Sequence, residues 1–393
     1  MQLLAIFVCH RKEQLLKYRM FMFKTKKFLL VLLSVFILTS VACNKDDDDD
    51  NNDGGNSGGN GPTPYEIKIP KGFPTDLNIP DDNPMTVEGV KLGRYLYYDG
   101  RLSGRADEGK PMSCSSCHIQ KNAFENGIGK GTGLNGLQTY HVMLPHINLV
   151  WNPGTYLWNG SVPSIEADVL GTITDPTEFG STYEKVEKAI AAVPMYPPMF
   201  KAAFGDEKVT VDRIAKAIAQ FMRTQISSDS KFDRVLRGED NFTASEQRGL
   251  VLFTTEQGAD CLHCHGAPGN PLMTTNLFYN NAKDTVFDTA HDRYSVTGDK
   301  RDIGAYKAST LRNIELTGPY MHDGRFKTLD EVIDFYSEGL VYSEYVHPLM
   351  HKVFPPYGHG ANLNTQQKAD LKAFLLTLTD TVFINNPDLA SPF

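Results

Sequence analysis

The stretches Cys114-Ser115-Ser116-Cys117-His118 and Cys261-Leu262-His263-Cys264-His265 repeat one five-residue pattern. Two thiols one helical turn apart, followed at once by a His, suit covalent attachment of a c-type haem. The thiols of Cys114 and Cys117, or of Cys261 and Cys264, reach the two vinyl groups of one porphyrin, while His118 or His265 ligates the iron. Zinc bound by four thiolates, or two redox-active dithiols, are the competing chemistries for such pairs. Neither explains why a His follows both pairs, so two covalently held haems are expected.

Six cysteines are present. The motifs use four and leave Cys9 and Cys43, so no thiol of the mature domain remains for a structural disulfide. In bacteria c-type haem is attached outside the cytoplasm, which calls for an export address. Lys24, Lys26 and Lys27 precede an apolar run over residues 28–41 that is short for a bilayer span and has the charged-then-apolar order of a secretory signal. Ser40-Val41-Ala42-Cys43 resembles a lipobox, with Ser40 where a Leu usually stands. Residues 1–43 are therefore read as a signal segment with a lipobox, simple signal cleavage being the alternative. Residues 44–64 hold five consecutive aspartates and a Gly/Asn/Ser stretch, which cannot bury enough apolar area to order themselves. They are expected to form a flexible tether on a periplasmic or outer-membrane lipoprotein that meets the membrane only through its N-terminal lipid.

The formal net charge of −8 argues against nucleic acid and is compatible with a basic electron donor, although the aspartate run supplies much of the excess. Ile214, Ala215, Ile218, Phe221 and Met222 recur at helical spacing within residues 209–226. Thr243 with Glu246, Thr328 with Glu331, and Asn364 with Gln367 read as capping boxes that start three more helices. Between them, Gly/Pro-rich residues 127–136 and 267–304 are long loops of the kind that wrap a large ligand. The expectation is an all-α chain of two cytochrome c-like domains, residues 65–240 and 241–393, each with one haem and long haem-wrapping loops.

Further motifs follow in order: Tyr156-Leu157-Trp158-Asn159-Gly160, Asp175-Pro176-Thr177-Glu178, Leu311-Arg312-Asn313, and Thr317-Gly318-Pro319-Tyr320-Met321-His322-Asp323-Gly324. With the two haem motifs they resemble the bacterial dihaem cytochrome c peroxidases and the related MauG-like enzymes. The resemblance implies hydrogen peroxide as substrate, a small redox protein such as a cytochrome c as donor, and a homodimer as an assembly to test. It makes the first haem peroxidatic and the second the electron-transfer centre. Glu178 takes the place of the acid/base carboxylate, a turn carboxylate being the plainer alternative. Trp158 takes the place of the tryptophan between the haems, and Asp168 stands where a Gln is usual.

Fourteen positions after His322 stands Tyr336 rather than the Met of typical peroxidases, which makes it the preferred sixth ligand of the second iron, as in MauG-like enzymes. Met350 and Met321 are the fallbacks. His141 and His146 are distal candidates for the first iron by location only. A calcium ion would draw on backbone carbonyls of Thr317 and Pro319, but Met143 occupies the place of the usual Asn. The alternatives to a peroxidase are an oxidase acting on a protein partner and a plain dihaem electron carrier.

Overall fold

Helix α1 (Val87–Tyr98) begins where the Thr86 hydroxyl accepts the Gly89 N–H, occupying one of the donors that a helix start leaves without a partner. It is followed by α2 (Ile165–Thr174), α3 (Tyr183–Ala191), α4 (Tyr196–Phe204) and α5 (Val211–Arg223). The apolar face expected within residues 209–226 is the buried face of α5, shortened at its start because Thr210 caps it. At the crossing of α1 and α5 a Cβ on Gly93 would overlap the carbonyl oxygen of Ala217, so only glycine lets the two backbones approach this closely. Leu92, Leu96, Phe124, Ile165, Ile214 and Phe221 fill the first core around that crossing.

The structure is a computed structural model that describes residues 61–266 and 269–393. Cys9, Cys43, the apolar run and the aspartate run lie outside the described residues. Beyond α5 come α6 (Lys231–Arg237), α7 (Ala244–Thr254), the short α8 (Leu262–His265) and α9 (Tyr294–Thr297), then α10 (Leu329–Glu338), α11 (Thr365–Leu376) and α12 (Thr381–Ile384). The boxes Thr243/Glu246 and Asn364/Gln367 are complete. Thr328 caps α10, but the Glu331 carboxylate takes the Lys327 N–H instead of returning to Thr328. α7 crosses α11 at Gly249, where a Cβ would overlap the carbonyl oxygen of Asp370, and Phe232, Phe253, Leu371 and Phe374 form the second core.

Three expectations need correction. The chain is helix-rich rather than all-α, because the long loops pair into two ribbons: β1 (Lys130–Thr132) with β2 (Gln138–Val142), and β3 (Phe278–Tyr279) with β4 (Tyr306–Lys307). The tether cannot run to residue 64, since Thr63 is held by the Glu88 carboxylate at 2.8 and 2.9 Å and Pro64 bridges to Thr86. The end of the chain also leaves the second core. Phe383 and Leu389 are buried in the first, the Tyr98 hydroxyl donates to the Leu389 carbonyl at 2.6 Å, and Arg94 donates to the carbonyls of Pro387 and Ala390.

The described residues form one compact unit. Arg312, fully buried, makes two bonds to the Asp233 carboxylate at 2.9 and 2.5 Å and a third to the Pro271 carbonyl. Burial pushes the Asp233 carboxyl up, but the Arg312 guanidinium outweighs it and holds the group below its ordinary value. Next to this pair Asp380 accepts from the Ser227 hydroxyl and the Ser228 and Asp229 N–H groups. Arg312 therefore joins the start of α6 to the loop that follows β4.

Candidate functional site

Both motif histidines are set up alike. The ring nitrogen Nδ1 of His118 lies 2.8 Å from the Phe124 carbonyl, and that of His265 lies 3.1 Å from the Ser309 carbonyl. A carbonyl can only accept, so each Nδ1 carries the proton and each Nε2 is left with a lone pair for a metal. Burial, partly offset by these carbonyl bonds, pushes both imidazoles down to about 4, so both are neutral at pH 7. Burial, with Glu178 next, lifts the Cys114 thiol to about 12, and burial lifts Cys261 and Cys264 to about 12 as well. The two thiol pairs line different cavities and do not converge as a four-thiolate zinc site would. They suit groups destined to become thioethers, and the four described cysteines are all unpaired.

Each motif opens on a cavity. Cys114, Cys117, His118, Asp168 and Glu178 line one of 670 Å³, which adjoins another of 1480 Å³ reaching Trp158. Cys261, Cys264, His265, Met321, Tyr336 and Met350 line one of 1610 Å³, and Thr317 and Pro319 also face it. The first two spaces share His118, Asp168 and Glu178 in their walls, and the third lies against the Cys261–Cys264 pair, so each motif has room beside it for a bound group. Trp158 and Lys307 belong to the walls of both. Trp158 is fixed by its indole N–H donating to the Val142 carbonyl at 2.9 Å and by its carbonyl accepting the Lys307 N–H at 2.8 Å.

Glu178 stands on a turn after α2 that the Asp175 side chain builds by accepting the Thr177 N–H and hydroxyl, both at 2.7 Å. The glycine-rich loop holds this turn from the other side. Leu134 donates to the Glu178 carbonyl at 2.8 Å, and a Cβ on Gly133 would overlap the Thr177 and Glu178 backbone. Burial first, then the Asp168 charge, lifts Glu178 to about 7. Burial lifts Asp168, on α2, to about 6 against the pull of Lys307, which is itself pushed down to about 7 by burial and Arg293. Asp168 thus faces the cavity rather than solvent.

His146 stacks on His118 with ring centroids 3.6 Å apart, and its Nδ1 meets the Tyr97 hydroxyl at 3.1 Å. A ring lying flat on the proximal imidazole is on the proximal side, so in this arrangement His146 is not a distal ligand. His141 neighbours Tyr306 and His322 instead. In the second cavity one amide serves two sixth-ligand candidates: Asn281 Nδ2 lies 3.1 Å from the Tyr336 hydroxyl and 3.6 Å from the Met321 sulfur. Asn281 and Lys307 carry no sequence signal, one being a loop amide and the other a lysine in a two-residue strand. Among the described residues the one cluster of metal-type donors is Asp284, His322 and Asp323, whose carboxylates are already paired with Lys283 and Arg325. No described helix is long and apolar enough to cross a membrane.

A thiol pair and a metal-ready imidazole beside each of two separate cavities, in a helix-rich fold, are what a dihaem protein of the c type requires. Residues 87–241 match the family described as di-haem cytochrome c peroxidase. The chain is 34% identical over 259 residues to the cytochrome c551 peroxidase of Nitrosomonas europaea, covering 64% of this chain and 73% of that one. It is 30% identical over 307 residues to the methylamine utilization protein MauG of Methylorubrum extorquens, covering 78% and 82%. A solved MauG-like protein associated with microbial copper homeostasis superposes with a TM-score of 0.73 at 34% identity, covering 84% and 99%. The chain belongs to the dihaem cytochrome c peroxidase and MauG-like family, and is an oxidoreductase of that type whose family implies two c-type haems.

Proposed function

We propose that the protein reduces hydrogen peroxide to water with electrons from a small redox protein such as a cytochrome c. The observation that carries this reading is the asymmetry of the two cavities. The first holds the Glu178–Asp168 pair. The second has Asp260, paired with His263, as its carboxylate, and offers Met321, Tyr336 and Met350 as further iron ligands. One site is equipped to move protons and the other to saturate a metal.

Cys114, Cys117 and His118 would hold the peroxidatic haem, and Cys261, Cys264 and His265 the electron-transfer haem. When bound, the haems supply the iron that receives peroxide and the electrons that reduce it. Glu178, poised near neutrality, takes the proton from the near peroxide oxygen and returns it to the far one, so that water leaves rather than hydroxide. Asp168 raises the proton affinity of Glu178 by like-charge repulsion. Trp158, in the wall common to both cavities, bridges them for electrons. Tyr336, whose hydroxyl accepts from Asn281, would serve as a further ligand of the second haem, and a tyrosine in that place favours, as a second reading, a MauG-like oxidation of a protein partner. Carbonyls of Thr317 and Pro319 remain the proposed calcium ligands, and export with a lipid on Cys43 remains the proposed location, with a homodimer as the assembly.

Steady-state assays with reduced cytochrome c test the proposal. Two cytochromes oxidised per peroxide consumed support it. Peroxide-induced spectral changes that persist without donor turnover would overturn it in favour of the oxidase.

A further inference from the structure

A file of aromatic rings leads from the wall between the cavities to solvent, and neither proton transfer nor haem attachment uses it. The Trp158 ring lies 6.4 Å from that of His322, and His322 is stacked on Tyr306 at 3.6 Å between centroids. Both meet His141 edge-on at 5.5 Å. His141 stands 6.4 Å from His291, which is stacked on Tyr140 at 3.8 Å. Tyr140 is 60% exposed at the rim of the space that adjoins the first cavity and reaches Trp158. None of these rings belongs to either helical core, so the file is not explained by core packing. Strand β2 sets its spacing: it carries Tyr140 and His141, while the carbonyl of Val142 receives the Trp158 indole and the N–H of Val142 donates to the His322 carbonyl at 2.9 Å.

Its electrostatics favour a positive hole. Asp292, Asp288, Asp284 and Asp323 all bear on Tyr306, whose phenol burial and these charges hold neutral. Burial, then His291 and Lys130, pushes His141 down to about 4. The nearby cations Lys283 and Arg325 are matched by Asp284 and Asp323. Electron tunnelling falls exponentially with distance, so successive short steps outrun one jump across the same span.

We propose that Tyr306 and Tyr140 relay one-electron oxidising equivalents from Trp158 to the surface, where phenolic donors are oxidised at Tyr140 without entering either cavity. The inference rests on the peroxide reading above, which supplies the oxidant. Trp158 gives up one electron and is refilled by Tyr306, whose phenolic proton passes to water. Tyr140 then refills Tyr306, which regains a proton from water, while the Tyr140 proton leaves to water and a neutral phenoxyl radical stays on Tyr140. A phenolic donor returns a hydrogen atom to Tyr140, regenerating it, and departs as its own phenoxyl radical. Two such passes balance the two oxidising equivalents of one peroxide.

The test treats holoenzyme with peroxide, no donor and a nitroso spin trap, and maps the adducts by peptide mass spectrometry while following the Soret band. Expected is an adduct on Tyr140 that disappears in Tyr140→Phe and falls sharply in Tyr306→Phe, where residue 140 is intact. A Soret change with no adduct at 140, or an adduct undiminished in Tyr306→Phe, overturns the relay and leaves the peroxide reading standing. No Soret change at all removes the oxidant and overturns both. Should Tyr306→Phe misfold, peroxide-dependent guaiacol oxidation decides: in Tyr140→Phe it should fall while cytochrome c oxidation holds, and equal guaiacol rates overturn the relay.

Discussion

Glu178→Gln should separate the chemistry of the site from its cost to the fold. Lifting the carboxyl from 4.5 to about 7 makes its ionised form unfavourable by about 3 kcal/mol, at about 1.36 kcal/mol per pKa unit. The folded protein holds this proton more tightly than the unfolded chain. Stability is therefore full below the unfolded value and is lost as pH rises through the folded one, the reverse of a salt-bridged carboxylate. Gln keeps the shape and cannot ionise, so the variant escapes the loss. Denaturant unfolding of the ferric holoprotein should show variant and parent alike at pH 4 and the variant more stable by about 3 kcal/mol at pH 8. Peroxide turnover at pH 7 should meanwhile drop by roughly 10²- to 10⁴-fold. A stability gain equal at both pH values would mean that Glu178 is not a buried, proton-holding group. Undiminished turnover would falsify its role in proton transfer.

Asp168→Asn removes the like charge that raises Glu178 and should shift the acid-side, rising limb of the turnover profile to lower pH, read from kcat/KM between pH 5 and 8; an unmoved limb would uncouple the two carboxylates. Arg312→Met leaves Asp233 buried without its partner and should cost about 3–5 kcal/mol in denaturant unfolding, while a loss below about 1 kcal/mol would show that Asp233 finds another. Tyr336→Phe should change the low-temperature electron paramagnetic resonance of the second haem and leave the first unchanged; an identical spectrum returns the sixth ligand to Met321 or Met350. Gly93→Ala drives a methyl into the Ala217 carbonyl and should destabilise by about 1–3 kcal/mol or more, checked by the same unfolding curves.

The chemistry-bearing residues were legible because chemistry ties them to short local patterns. The thiol pairs, their histidines and the Asp175 turn that presents Glu178 all lie within five residues of their partners. Helix starts at Thr243 and Asn364 were legible for the same reason. What stayed hidden depends on contacts between distant segments. His146 looked like a distal candidate until its stack on His118 was visible. Arg312 sat in a motif without a role until Asp233, 79 positions away, was found against it. Lys307 and Asn281 gain meaning only from the cavities they face. The two ribbons escaped because strands of two to five residues in glycine-rich segments leave almost no alternation to read.

Phe383 and Leu389 complete a core whose other members lie between residues 92 and 222. Synthesis proceeds from the N-terminus, so the first half stays open at this seam until residues 383–389, which follow the whole second core, have been made. The Cys114–Cys117 pair is thus expected to stay accessible during that delay, and residues 381–389 act as a latch that shuts only afterwards. Haem attached in that interval would precede final burial, so the latch would order the two events.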